Sequence, residues 1–231
     1  MLIDMHSHSL FNQNSNHLVL SDGIHFLGIH PWFIDLDKLE KQKKIIEELI
    51  KSKKLLMLGE TGLDRLKSSV PIEIQIEVFL WHLEKAYEHN LPIVIHCLKA
   101  HSDLLGVLKK DQRTFRLLIH DYSGGEKELK DYLKYDVYFS FGRSLFRENS
   151  KAQMVFKKVP LNRIFLETDD SKDLSIDEIY LKAQSIRVDD LIERQIFENF
   201  LRFFNYSNDI SPSDLIANFT KIYGTDKLAN L

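Results

Sequence analysis

With 231 residues, 44% of them hydrophobic and 28% charged, and with 9 glycines and 5 prolines, the chain excludes a disordered or fibrous protein and can fill one large barrel or two ordinary domains. Its formal net charge of −3 supplies no general attraction to a polyanion, so a phosphate-bearing substrate must be held locally. The single cysteine, Cys97, excludes an internal disulfide framework, and no apolar stretch reaches the length of a membrane span.

The first residues run straight into an apolar segment bearing Asp4 and His6, without the basic and then apolar order of a secretion signal, and a cytoplasmic protein is expected. Seven strands are predicted, ending near Asp4, Ile29, Gly59, Ile95, Ile119, Phe141 and Leu166. Their nearly continuous apolarity implies burial on both faces, as in a parallel sheet. Between them, Leu39, Ile46, Leu49 and Ile50 mark one amphipathic helix over 36–54. Ile76, Phe79, Leu80, Leu83 and Tyr87 mark another over 72–90, with Pro71 at its first position and Asn90 at its end. Shorter helices are expected over 101–110, 125–134 and 146–158. From Ile176 the spacing is helical without a further strand, and Ser211-Pro212-Ser213-Asp214 starts a last helix. Lysine runs such as Lys51 to Lys54 and Lys157-Lys158 read as solvated helix faces.

This alternation predicts an α/β fold, a TIM-type (β/α)8 barrel in one domain over 1–231, with a short or irregular eighth strand. An open doubly wound sheet would need a glycine-rich first turn that the chain lacks.

In such a barrel the active site lies at the carboxyl ends of the strands. His6 and His8 follow the first strand, His30 the second, Glu60 the third, His96 the fourth, His120 the fifth, and Glu167 and Asp169 the seventh. Asp4-Met5-His6-Ser7-His8 alone is equally a hydrogen-bonded strand end; the repetition at later strands makes it one wall of a metal site. These groups exceed the needs of one ion, so two metals are expected, zinc, manganese, iron or similar ions, with Glu60 as the bridge. Asp169 is the candidate catalytic carboxylate that binds metal and orients or deprotonates water; Asp170 is its rival, and Glu167 reads as structural. His17, His25, His82, His89 and His101 read as surface or packing histidines, Cys97 as a buried thiol without a paired base, and Trp32 as either cleft lining or packing.

Together, Asp4-Met5-His6-Ser7-His8, Gly28-Ile29-His30-Pro31, Gly59-Glu60-Thr61-Gly62-Leu63-Asp64, Pro92-Ile93-Val94-Ile95-His96, His120-Asp121-Tyr122-Ser123-Gly124 and Leu166-Glu167-Thr168-Asp169 resemble the TatD family of metal-dependent hydrolases. Asn218 to Gly224 is similar to that family's terminal helix. The resemblance implies a phosphodiesterase with two divalent metals, commonly a deoxyribonuclease supported by magnesium or manganese, so that with zinc from the donor set magnesium, manganese or zinc is expected; the substrate is DNA or another phosphodiester, and no membrane and no obligate protein partner is expected. It places metal ligands at His6, His8, Glu60, His96, His120 and Asp169, the phosphate neighbour at His30, and a supporting role at Asp64. The chain departs from the family where Leu98 stands in place of an arginine, where Asp170-Ser171-Lys172-Asp173-Leu174 replaces a proline-rich loop with an arginine, and in being short. Lys99, Lys172, Arg143 and Arg147 are the substitutes available for holding phosphate, Lys99 foremost. PHP-type phosphoesterases, which share the opening Asp-x-His-x-His, and hydrolases of small nucleotide esters are the alternative enzymes; a catalytically silent binding protein is the third reading.

Overall fold

The computed structural model describes residues 1–8 and 17–223. Eight strands run in parallel: β1 (Leu2–Ser7), β2 (His17–Ser21), β3 (Phe26–Leu27), β4 (Met57–Asp64), β5 (Ile93–Leu98), β6 (Leu117–Ile119), β7 (Val137–Phe141) and β8 (Ile164–Leu166). β3 to β8 form one sheet in sequence order, and β1 pairs with β2. Single bridges, Ser7 with Asp169 and Asp22 with Phe26, join the two sheets into a ring.

The expected barrel is present, but its unseen strand is the second in chain order, not one near the C-terminus. Among the described residues no strand follows β8. β2 escapes the sequence pattern because no helix separates it from β3. Ser21 O accepts from the backbone N–H groups of Ile24 and His25 at 3.2 and 2.9 Å, and this one turn moves the chain sideways by a strand without reversing it. A parallel crossover ordinarily takes a dozen or more residues, so a four-residue connection does not announce a new strand.

Around the ring lie α1 (Leu39–Lys51), α2 (Ile72–His89), α3 (His101–Lys110), α4 (Glu126–Tyr132), α5 (Lys151–Phe156), α6 (Ile176–Arg187), α7 (Ile192–Phe203) and α8 (Pro212–Tyr223). Pro71 stands just before α2 and not within it, and Asn90 ends that helix with a left-handed φ of +53°. Ser211 caps α8, its hydroxyl accepting the Asp214 N–H at 3.1 Å. Gly224 lies outside the described residues.

Helices α6 and α7 cover the part of the ring that β1 and β8 complete. Tyr180 on α6 accepts the Ile3 N–H at 3.1 Å and donates to the Ile3 carbonyl at 3.0 Å. Phe203 on α7 packs its ring 5.1 Å from Tyr138 and 5.7 Å from Phe165. Two glycines let β4 lie close to β5: a Cβ on Gly59 (φ +117°) would come 2.3 Å from the Val94 carbonyl oxygen, and one on Gly62 (φ +144°) 2.1 Å from that of His96. Those strands carry Glu60 and His96, so the contact that requires glycine also sets the spacing of the site.

Candidate metal centre

Alternation along β1 puts Asp4 and His6 on one face, both buried, and His8 follows just past the strand end. Asp4 accepts the Thr168 N–H at 3.0 Å and the Thr168 hydroxyl at 2.6 Å, fastening the end of β8 to β1. Asp169 then donates its N–H to the His6 carbonyl and accepts from the His8 N–H, at 2.9 and 3.1 Å. With a left-handed φ of +53°, Asp169 brings its Oδ1 to 3.3 Å from His8 Nε2 and 3.7 Å from His6 Nε2. Non-glycine residues held in that region cost roughly 1–3 kcal/mol and occur where the surroundings enforce them.

Glu60 lies at the centre and divides its oxygens between two groups of histidines. Oε2 stands 3.3 Å from His6 Nε2 and 3.8 Å from His8 Nε2. Oε1 stands 2.7 Å from His120 Nε2, 2.9 Å from His96 Nδ1 and 3.0 Å from His30 Nε2. Burial alone would raise the pKa of Glu60, but His120, His30 and His6 outweigh it and hold the carboxyl well below its ordinary range. Burial works against a charge on His120 as well, yet Glu60 on one side and Glu167 on the other hold its pKa well above the usual imidazole value. The bond to Asp169 pushes His8 up to about 8. Asp169 in turn is opposed by burial, but His8, His120 and His6 bring it down to about 2.

The backs of these rings are also engaged. His96 Nε2 lies 3.0 Å from Asp64 Oδ2, and His120 Nδ1 lies 3.5 Å from Glu167 Oε1. The buried Glu167 further accepts from the Asp121 N–H at 2.7 Å and from the Ser140 hydroxyl. Trp32 donates its backbone N–H to His30 Nδ1 at 3.1 Å, so a neutral His30 carries its proton on Nε2, facing Glu60. Burial lowers the pKa of His30 and favours that neutral ring.

These contacts decide whether cations fit. With its Nε2 proton given to Asp64, a neutral His96 turns a bare lone pair toward Glu60 Oε1 at 2.9 Å and toward His120 Nε2 at 3.4 Å. His6 and His8 bring their Nε2 atoms within 3.4 Å of each other beside two carboxylates. Imidazole nitrogens and carboxylate oxygens gathered this closely offer several ligating atoms to one cation, and that donor set suits zinc, manganese and similar ions. Three sets have ligating atoms within 4.8 Å of one another: His6, His8 and Glu60; His6, His120 and Asp169; and His30, Glu60 and His96. All six expected ligands and His30 therefore meet in one place.

The other expectations are sorted by position. Asp170 is exposed, leaving Asp169 as the carboxylate that meets His6 and His8. Lys99 is exposed at the end of β5 with φ +55°, and among the described residues it forms no ion pair with the cluster. Arg143 is tied to Asp173 and Ser171 in the loop after β8. His82 is a packing residue as expected, whereas His17 begins β2, 3.3 Å from Asp177. Cys97 is buried and its thiol is pushed up to about 12 by burial, although a base does stand beside it, His101 Nδ1 at 3.3 Å.

Glu167, read as structural, supports the site by backing His120. One participant was missed. Asp22, whose Oδ2 stands 3.7 Å from His8 Nδ1, follows the unrecognised strand β2, and only that strand places it there.

A parallel barrel with histidines and carboxylates gathered at the carboxyl ends of its strands defines the class of metal-dependent barrel hydrolases. The chain belongs to the TatD related DNase family, whose sequence profile matches residues 6–205. An uncharacterized metal-dependent hydrolase of Bacillus subtilis, YabD, is 34% identical over 146 residues, covering 62% of this chain and 56% of its own. The human 3'-5' RNA nuclease TATDN2 is 31% identical over 147 residues, covering 62% of this chain and 19% of its own. The match thus spans little more than half of the bacterial relative and a fifth of the human one. Among solved structures, YjjV, a TatD homolog of Escherichia coli, superposes with a TM-score of 0.69 at 21% identity, over 83% of this chain and 78% of that one.

Proposed function

We propose that the protein hydrolyses phosphodiester bonds in nucleic acid, DNA foremost, with two divalent ions. The observation that carries this reading is the division of the Glu60 carboxylate, Oε2 toward His6 and His8 and Oε1 toward His96 and His120. His6, His8, Asp169 and Glu60 would hold one ion, and His96, His120 and Glu60 the other. When bound, such ions supply water made nucleophilic at neutral pH and offset the charge that builds on a phosphoryl oxygen.

The protein's own groups do the rest. Asp169, ionised through its histidine neighbours, accepts a hydrogen bond from the attacking water and orients it. His30 offers its Nε2 proton to a non-bridging phosphate oxygen, since its Nδ1 is already occupied by the Trp32 N–H. Asp64 and Glu167 keep the His96 and His120 rings turned toward the centre. The relatives that carry the names metal-dependent hydrolase and RNA nuclease support the same chemistry.

The test is to strip the purified protein of metal, reload it with magnesium, manganese or zinc, and assay single- and double-stranded DNA, RNA and small phosphate esters in parallel. Cleavage of an oligonucleotide that disappears in Glu60→Ala and Asp169→Asn is expected. Turnover of small esters alone would replace the nuclease reading with a phosphoesterase, and full rate in both variants would remove the mechanism.

A further inference from the structure

Beside the metal centre lies a group that the hydrolytic steps leave unused. Trp32 follows His30 by two residues, and its ring centroid lies 4.7 Å from that of His30 and 5.5 Å from that of His96. It is nonetheless 38% exposed, and Phe33 next to it is 67% exposed. Leu66, 63% exposed, stands in the loop after β4, which is fastened to the Trp32 loop by the Ser68 hydroxyl donating to the Pro31 carbonyl at 2.7 Å. Three large apolar side chains thus face solvent from two joined loops at one edge of a polar site, where a ligand bound at that site could meet them.

The indole is also fixed. Its Nε1–H donates to Asp64 Oδ2 at 2.5 Å, and the buried Asp64 accepts the Leu66 and Lys67 N–H groups at 2.6 and 2.8 Å through Oδ1. An aromatic ring already held in place loses little freedom on binding. Lys67 holds its Nζ over the Trp32 ring, 4.7 Å from the centroid, so a positive charge already covers one face and a base would stack on the other. An indole with a cation on one face, next to a centre that would hold a phosphate, matches a nucleotide: base on the other face of the ring, adjoining phosphate within the field of the lysine.

We infer that Trp32, flanked by Phe33 and Lys67, is a specificity-determining residue on which the nucleobase beside the scissile phosphate stacks. The inference rests on the phosphodiesterase reading above. Stacking reads no base sequence, because every base has a π-face, so Trp32 favours substrates that carry a base over those that do not.

The test compares a short single-stranded deoxythymidine oligomer with an abasic oligomer of the same length, using magnesium-loaded protein. The thymidine oligomer is expected to have the lower KM, and Trp32→Ala to raise that KM by about ten- to a hundredfold and erase the advantage over the abasic chain, while Trp32→Phe retains most of it. An equal loss on both oligomers, or a loss in kcat alone, would make Trp32 a support for Asp64 and His96 and overturn the inference. A second measurement does not depend on turnover. In a Trp81→Phe background Trp32 is the only indole, the sequence having two tryptophans. Its fluorescence should then be quenched by phosphorothioate-linked thymidine oligomer and not by the abasic one. Quenching without cleavage of either oligomer would retain the stacking site and reject the nuclease reading; cleavage without quenching or discrimination would do the reverse.

Discussion

Asp64 Oδ2 lies 3.0 Å from His96 Nε2, and this one carboxylate sets which nitrogen of His96 faces Glu60. The same oxygen receives the Trp32 indole, so the metal centre and its aromatic edge share a single support.

Asp64→Asn should therefore weaken metal binding without removing a ligand. Partners behind metal-bound histidines are worth roughly 10–100-fold in affinity or activity. Calorimetric titration with manganese should show that loss while circular dichroism stays unchanged; undiminished affinity would deny Asp64 its role.

Metal binding should be strongly pH-dependent. Without an ion, His8 has a pKa of about 8, raised first by its bond to Asp169, and His120 lies well above its ordinary value between Glu60 and Glu167. His8 is thus largely protonated at pH 7, the surroundings of His120 also favour its charged form, and coordination must displace those protons. Affinity for manganese should rise with pH through 8, by about tenfold per unit for each proton displaced, and binding heats should vary with the ionisation enthalpy of the buffer. A flat profile between pH 6 and 8 would contradict this.

A different histidine controls stability in acid. His82 is fully buried, accepts the Ile29 N–H on Nε2 at 3.1 Å, and lies 2.8 Å from the Val78 carbonyl through Nδ1. Burial, only partly offset by the Val78 bond, lowers its pKa from 6.5 to about 4. Between those values the unfolded chain takes up a proton that the folded one refuses, so the contribution of His82 to stability is complete above pH 6.5 and is lost as the pH drops toward 4, by about 3 kcal/mol. Urea unfolding at pH 7 and 4.5 should show a larger drop for the parent protein than for His82→Gln, and equal drops would count against this account.

Gly62→Ala should disturb fold and site together. Its Cβ would meet the His96 carbonyl oxygen at 2.1 Å, at a φ of +144° that a side chain rarely adopts. A cost of about 3 kcal/mol or more is expected, read as a lower melting temperature, together with weaker metal binding because His96 moves with its strand. Gly106→Ala, within α3 where a Cβ meets nothing, is the control, expected to leave metal binding unchanged and to raise stability slightly, by about 0.5–1 kcal/mol.

The chemistry of the centre was legible in the linear chain because strands are short apolar runs and their ends are conspicuous: a histidine or carboxylate following six of the seven predicted runs needs no tertiary information to be noticed. His6, His8, Glu60, His96, His120 and Asp169 all meet in the folded protein for that reason. The amphipathic spacing of α1 and α2 was equally visible.

Partnerships across the ring were not visible. Strand β2 is invisible to a pattern of alternating strands and helices because a single turn, not a helix, follows it, and Asp22 was lost with it. The position of Glu167 behind His120, the tie of Trp32 to Asp64, and the division of Glu60 between two groups of histidines depend on which strands lie side by side. Residue types and local spacing select the candidate ligands of this protein; closure of the barrel brings together side chains as far apart in sequence as His6 and Asp169 and decides which of their atoms meet.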